Sequence, residues 1–479
     1  MILPPRARRR SPRTRAHILL RLSRHASDAW GWNDAFEGVQ VFGGTGSGKT
    51  SGSGAALAHA YLSAGWGGLV HTAKPDEPDL WRRYAAATGR SDDLIFFGPG
   101  HPWRFNFLRY ESERPGAGGG NTENLVRLFL TLLEASEPAA GAKSDQFWER
   151  AVRQLLGNAI DLLILAAEPL SMGAIHRLLA SVPYAPEQLA DPAWQQSAFC
   201  LHALDAATRR HPSHPDLPLV EQFFLRDMPA SDPRTRANIS QTFTSMADAF
   251  SRGTLRDLFG AELSLVPEFS HVGKIIVLDM PTKEHGYIGR IAQVLFKYLW
   301  QQAVERRNLP QHPRPCFLWA DEAQEFVVKH DAEFQATARS ARVATVYLTQ
   351  SLSAYHARLG GGPQAEAQTA ALLANLGAKV FHAQSDPVTN EWAERLINKA
   401  WRYRGNTNVS ESNEADRRRP TVSSGVNPSL ESQILPSDFL QLRTGGPANN
   451  GLVDALVFHN GRTFAAGGKP YLKVTFRQR

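Results

Sequence analysis

The sequence predicts an α/β fold in which a mostly parallel central sheet carries helices on its faces and is interrupted by an inserted all-α domain. Three observations predict it. Short apolar segments alternate with helix-compatible ones in the first and last thirds of the chain. Between about residues 121 and 260 helical periodicity runs on without a convincing strand. One apolar segment, Val39-Gln40-Val41-Phe42, leads straight into a glycine loop and then a small-residue helix. A βαβ rhythm of this kind builds a parallel sheet, because each crossover helix returns the chain to the same edge.

Taken in order, the first strand is Val39 to Phe42, and Gly54 to Ala64 is the helix after its glycine loop. Leu69-Val70-His71 and Leu94-Ile95-Phe96-Phe97 are short buried strands with a helix between them. The rhythm breaks at Gly116 to Gly120. Beyond it Phe147, Val152, Leu155, Leu156, Ile160 and Leu163 recur at helical spacing, with Asp145 where an N-cap belongs. Pro212 to Pro218 reads as a surface loop within this helical part. Strands return at Lys274 to Asp279, Cys316 to Asp321, Ala344 to Leu348 and Ala378 to Phe381, with helices such as Ile288 to Arg307 between them. Asn406 to Pro428, polar and Ser/Asn-rich, is expected to be a mobile loop, and Leu452 to His459 with Tyr471 to Phe476 an antiparallel pair. The division that follows is an arm over 1–36, an α/β domain over 37–115 and 266–479, and an all-α domain over 116–265.

At 479 residues, 42% of them apolar and 21% charged, the chain has core material for two or three domains. That excludes a disordered, collagen-like or disulfide-stapled protein. The two cysteines, Cys200 and Cys316, are too far apart in sequence for a zinc motif and fit a reducing compartment. The most apolar stretch, Leu155 to Leu170, is broken by Asn158, Asp161 and Glu168, so no membrane span is expected, and no signal peptide is evident. The chain therefore reads as soluble and cytoplasmic. Its net charge of +7 is local: eight arginines, Arg6 to Arg24, precede the first acid, Asp28, and without them 45 basic residues face 46 acidic ones. Such an arm suits phosphates or anionic lipid, or is simply solvated.

Gly43-Gly44-Thr45-Gly46-Ser47-Gly48-Lys49-Thr50 fits G-x-x-x-x-G-K-[ST]. Glycines let successive backbone N–H groups point inward at phosphate oxygens, and the following helix presents its positive end to the same anion. Gly43 to Ser51 are therefore the candidate nucleotide-binding residues. Lys49 is placed to reach the β- and γ-phosphates, and Thr50 to hold Mg²⁺. The apolar strand Cys316 to Ala320 ends in Asp321-Glu322. That puts one carboxylate, Asp321, near the Mg²⁺ shell and a second, Glu322, where it can polarise a water. Asp279 also ends an apolar strand, but Met280 follows it and no second acid adjoins it. The next strand ends in Leu348-Thr349-Gln350-Ser351, where Gln350 can bridge the γ-phosphate and the attacking water or cap the following helix.

These three motifs, in this order and with a helical domain between the first two, resemble the type IV secretion coupling proteins. Those are the conjugative DNA-transfer ATPases of the FtsK–HerA group of RecA-like P-loop NTPases. Phe105-Asn106-Phe107-Leu108, Asp145 to Arg150, Thr235 to Phe250, Leu255 to Phe259 and Leu440 to Gly446 are similar to further segments of that family. The likeness spans about Gly38 to Phe476. It implies a ring-shaped homo-hexamer with ATP and Mg²⁺ at subunit interfaces, DNA, single- or double-stranded, in the channel, and relaxase and secretion components as partners. By position Arg339 resembles the arginine finger that acts on the neighbour's nucleotide, with Arg342 its rival. Membrane-embedded members carry transmembrane helices before the P-loop, where this sequence has the arginine arm; peripheral attachment at the inner membrane stays open. The family's acid two residues before Lys74 is Thr72 here.

Outside the resemblance, Trp401-Arg402-Tyr403-Arg404 interleaves aromatics with arginines and Arg417-Arg418-Arg419 adds charge, a combination that can stack bases and hold phosphates. The histidines show no metal spacing. Three functions are carried forward: a DNA translocase coupled to conjugation, a cytosolic HerA-like DNA pump in repair or phage defence, and an ATP-gated adaptor for protein substrates.

Overall fold

A computed structural model of the chain describes residues 18–136, 146–260, 262–412 and 419–478. Arg6 to Arg15 of the arm, Asp145, and Arg417 and Arg418 lie outside the described residues. In chain order the strands are β1 (Ile18–Arg21), β2 (Ala29–Gly31), β3 (Val39–Phe42), β4 (Gly67–His71), β5 (Leu94–Phe97), β6 (Ile275–Leu278), β7 (Cys316–Ala320), β8 (Val343–Thr349), β9 (Ala378–Phe381), β10 (Lys399–Ser412), β11 (Arg419–Ser432), β12 (Leu452–His459) and β13 (Tyr471–Arg477). Nine of them form one sheet in the order β13-β12-β9-β3-β8-β7-β4-β6-β5. The seven from β9 to β5 are parallel, and β12 and β13 extend the sheet antiparallel at one edge.

The sheet is buried on both faces, which is why β3, β4, β6, β7, β8 and β9 read as continuous apolar runs and not as alternating ones. Leu57, Tyr61 and Leu62 of helix Ala55–Ser63, with Trp81 and Tyr84 of helix Glu77–Ala87, cover one face. The long helix Thr282–Glu305 and helices His330–Ala338, Leu352–Arg358 and Gly362–Ala374 cover the other. The long helix is broken at Gly286, whose φ of 52° and ψ of −129° lie outside the helical region.

Between β5 and β6 the described residues form helices and no strand. Leu125, Phe129, Leu156, Ile160 and Phe243 belong to the same apolar core as the sheet's second face, so the helical part shares that core. The chain leaves and re-enters through a narrow neck. Phe105 N–H donates to Leu258 O, Asn106 N–H to Glu262 O, and Ser264 N–H to Arg104 O. Asn106 fastens this neck: its Oδ1 caps helix Phe107–Glu113 by accepting from Arg109 N, and its Nδ2 donates to Gly260 O. Leu155 to Leu165 lies in helix Gln146–Leu165, and among the described residues no helix is long and apolar enough to cross a membrane. Residues 211–216 form the expected exposed turn, which runs into helix Leu217–Gln222.

One expectation is corrected. Instead of a mobile loop at Asn406 to Pro428, β10 and β11 pair antiparallel from Lys399 opposite Ser432 to Ser412 opposite Arg419. The ribbon stands exposed, so it needs no buried stripe, and its polar composition carried no strand signature. Its side chains are nevertheless sorted. Trp401 and Tyr403 share a face with Leu430 and Val426, whereas Arg402 and Arg404 project from the opposite face and both pair with Glu431, at 3.8 and 2.9 Å. Aromatics and arginines that alternate in sequence therefore do not meet one ligand on one face.

Candidate nucleotide site

The three motifs found in the sequence end three adjacent strands. β3 leads into the glycine loop, β8 beside it ends at Thr349-Gln350, and β7 beyond that ends at Asp321-Glu322. Parallel strands put all three carboxyl ends on one edge of the sheet, where α/β folds bind ligands. Gly43 N–H donates to Thr349 O, tying the loop to β8 at its first residue.

At two of its glycines the loop leaves no room for a side chain. A Cβ on Gly43 would stand 2.4 Å from Ser47 Oγ, and one on Gly48, whose φ is +82°, 2.7 Å from Val453 Cγ2. Ser47 Oγ is buried with no hydrogen-bond partner among the described residues, and Lys49 is 6% exposed. The helix start is a wide π-turn over Thr50–Gly54, in which Gly54 N–H donates to Lys49 O five residues back.

Thr50 Oγ1 donates to Asp321 Oδ2 at 2.6 Å, so the hydroxyl and the carboxylate predicted to share a metal already touch. Hard oxygen donors of this kind, with room left for phosphate and water, suit Mg²⁺. Together with the excluded Cβ positions and the buried Lys49, the residues present fit a nucleotide phosphate with its metal.

Glu322 is a non-glycine residue in the left-handed region, φ 53° and ψ 50°. Such a backbone costs of order 1–3 kcal/mol and persists where the surroundings hold it. Here Glu322 N–H donates to Asp321 Oδ1 at 2.9 Å, and Gln324 Nε2 donates to Glu322 Oε2 at 2.9 Å. Gln324 is oriented in turn by Thr349 Oγ1, which donates to its Oε1 at 2.6 Å. Gln350 Nε2 reaches both carboxylate oxygens of Glu322 at 3.3 Å. Burial alone would raise the Glu322 carboxyl, but the hydrogen bond from Gln324, the cations Lys49 and Lys74 and the bond from Gln350 hold it below its ordinary value. The alternative for Gln350 falls to its neighbour: Ser351 Oγ caps helix Leu352–Arg358, accepting from Ala354 N.

The structure does not bring Arg339 to these residues. It follows helix His330–Ala338 at the opposite end of the seven-residue strand β8, whose length of about 20 Å separates it from Gln350. Its side chain, 66% exposed, pairs with Glu37 at 3.1 Å. Arg342 lies at the same end and donates to Pro313 O at 3.4 Å. Asp279 is set apart by β4 and is paired with His101 at 2.8 Å.

Several site neighbours carried no role from the sequence, Lys74 being met there only as the lysine beside the family's acid position. Lys74 lies 3.3 Å from Glu322 and 3.9 Å from Asp321. Gln384 Nε2 donates to Gln350 O. His382, fully buried, has Nδ1 3.1 Å from Asp454 O and Nε2 2.7 Å from Ser53 Oγ; since a carbonyl only accepts, Nδ1 carries the proton and Nε2 accepts from Ser53. The C-terminal edge also packs on the loop. Val453 fills the space beside Gly48 and Gly52, and Gln478 Nε2 donates to Ser51 Oγ at 2.9 Å. Leu440 to Gly446 joins this edge, with Gly446 N–H donating to Gln478 Oε1 and Arg443 making two bonds to Asp454.

A glycine-loop strand separated by one strand from an Asp-Glu strand, within a mostly parallel sheet, defines the class: a RecA-like P-loop α/β fold with an all-helical excursion. Within that class the chain has the fold of the plasmid conjugative coupling protein TrwB. The unbound bacterial conjugative coupling protein TrwBdeltaN70 aligns with a TM-score of 0.63 at 16% identity, covering 98% of this chain and 91% of that one. TrwB in complex with ADP and Mg²⁺ aligns at 0.59 and 17% identity, covering 98% and 90%. TrwB with the non-hydrolysable ATP analogue ADPNP aligns at 0.60 and 16% identity over the same shares. No protein-family profile matches the chain, and no curated protein matches it by sequence.

Proposed function

We propose that this chain is an ATP-driven DNA translocase of the conjugative coupling-protein kind, which hydrolyses ATP at subunit interfaces of a ring to move or recruit DNA or a relaxase–DNA substrate. The observation that carries the reading is the convergence of Thr50, Asp321, Glu322 and Gln350 at one sheet edge. They lie in a fold shared almost end to end with a coupling protein solved with ADP and Mg²⁺ and with an ATP analogue. In this reading residues 37–115 and 266–479 are the motor, 116–265 the all-α domain, and 1–36 the segment that carries the basic residues to phosphates or the inner-membrane surface, with its Trp30 and Phe36 packed into the motor's core.

Gly43 to Ser51 wrap the phosphates, and Lys49 neutralises the β/γ charge. Thr50 and Asp321 would hold Mg²⁺, which would supply charge neutralisation on the phosphates. Glu322 takes the proton of the attacking water as general base, and Gln350, already on its carboxylate, reports the γ-phosphate to β8. Arg339 of the neighbouring subunit completes the charge balance; its place far from its own loop and its exposure favour action in trans.

The test is movement. Purified protein, ATP and a duplex bearing a triplex-forming strand should give ATP-dependent displacement of that strand, absent in Lys49→Ala. Displacement that never exceeds the Lys49→Ala blank on any DNA tested would remove the translocase reading.

A further inference from the structure

Lys74 takes no part in the mechanism just described, yet it stands at its centre. It lies three residues beyond β4, at the edge where β3, β7 and β8 also end. Its Nζ is 3.3 Å from Glu322 Oε1, 3.9 Å from Asp321 Oδ2 and 4.0 Å from Glu77 Oε1. The three carboxylates are nearly sealed from solvent, while the lysine side chain remains 30% exposed. Among the described residues Lys74 is the one cation within 4 Å of Glu322.

Its own position is fixed from behind. Glu77 opens helix Glu77–Ala87, its N–H donates to Lys74 O, and its Oε2 accepts from Ala73 N at 2.6 Å. Glu77 Oε1 makes no hydrogen bond among the described residues and lies 4.0 Å from Lys74 Nζ. Glu322 has three side-chain torsions to fix, and its two amide partners, Gln324 and Gln350, are neutral. An ammonium supplies the stronger, charge-assisted hold.

We infer that Lys74 is a positioning residue for the proposed hydrolysis, holding the Glu322 carboxylate in the orientation from which it activates water, with Glu77 holding Lys74. The inference rests on the reading of Glu322 as general base. The competing role is structural only, one cation neutralising three buried acids. The two separate in kinetics, because a structural loss lowers affinity and turnover together, whereas a misaimed base lowers turnover alone.

The experiment is steady-state ATP hydrolysis with the full chain, beside equilibrium binding of a non-hydrolysable ATP analogue. Lys74→Met should lower kcat about 10- to 100-fold, the usual effect of removing a group that orients a functional ligand, with analogue affinity unchanged. Lys74→Arg should recover part of the loss, and Lys74→Met should cost little more once Glu322→Gln is present. Glu77→Gln, which keeps shape and removes the carboxyl group, should lower kcat in the same direction, and it serves if Lys74→Met does not fold. A Lys74→Met enzyme with wild-type kcat, or one in which kcat and analogue affinity fall together, overturns the inference. A wild-type protein that never hydrolyses ATP overturns the underlying reading, and this inference with it.

Discussion

The hydroxyl of Thr50 and the carboxylate of Asp321, 271 positions apart in the chain, are joined by a 2.6 Å hydrogen bond across the edge of the sheet. The bond occupies the space between the two oxygens that the proposed mechanism gives to Mg²⁺. Asp321→Asn should therefore raise the Mg²⁺ concentration for half-maximal hydrolysis at least about tenfold, since a charged ligand becomes a neutral one. Thr50→Ala should act in the same direction. Mg²⁺ titrations of ATPase activity check this, and an unchanged Mg²⁺ requirement would remove Asp321 from the metal shell.

Glu322→Gln keeps the shape of the side chain and removes its basicity. Turnover should fall by about 10²-fold or more, the range for losing a positioned general base, while nucleotide affinity stays near wild type. Fluorescent-nucleotide binding beside hydrolysis gives both numbers from one preparation.

Arg339 and Glu322 are proposed to serve the same reaction from different subunits. Arg339→Ala and Glu322→Gln proteins should each be inactive alone, and mixing them should restore hydrolysis at interfaces that pair an intact Glu322 with an intact Arg339. Arg342→Ala should retain activity. Complementation by Arg342→Ala instead would transfer the role to that residue.

How far the sequence revealed this site depended on how local each signal was. Gly43 to Thr50 is one unbroken segment whose residue types follow from wrapping a phosphate, and Asp321-Glu322 is legible because an apolar strand ends there. Lys74 and His382 are different. Each takes its place through partners distant in the chain, Asp321 and Glu322 for one, Ser53 and Asp454 for the other, and no local pattern gives either its role. The β10–β11 ribbon was misread for the converse reason: exposed on both faces, it carries Ser, Asn and Gly where a half-buried strand would carry an apolar alternation. The antiparallel strands β12 and β13 were legible, but not that Val453 and Gln478 pack against the phosphate loop.

A buried ion pair lies beneath the Asp321-Glu322 loop. Lys297 pairs with Asp331, each with almost no exposed surface; Asp331 also accepts from Val328 N, Gln301 and Tyr347, and Lys297 donates to Phe326 O. Lys297→Met leaves the carboxylate buried without its charge partner and should cost about 3–5 kcal/mol. Urea denaturation measures it; a loss under about 1 kcal/mol would mean that the hydrogen bonds alone carry Asp331.

Burial pushes His382 down to about 4, so it is neutral in the folded state throughout the neutral range. An unfolded histidine binds its proton below about 6.5, so between those values the unfolded state holds more protons and stability falls as pH falls. His382 alone accounts for of order 3 kcal/mol by pH 4. His71 and His271, each pushed by burial to about 3, add in the same direction. Denaturation midpoints at pH 7 and 4.5 should therefore differ, and less so for His382→Gln; an equal difference in the variant would contradict the assignment.

The account as a whole turns on whether the nucleotide site answers to DNA. The most direct measurement is ATP hydrolysis by the purified protein alone, with single-stranded DNA and with double-stranded DNA, against Lys49→Ala as the blank. The account predicts hydrolysis that DNA stimulates several-fold and that the blank abolishes. Hydrolysis that Lys49→Ala abolishes but neither form of DNA changes would contradict it, and would point to an ATP-gated adaptor for protein substrates.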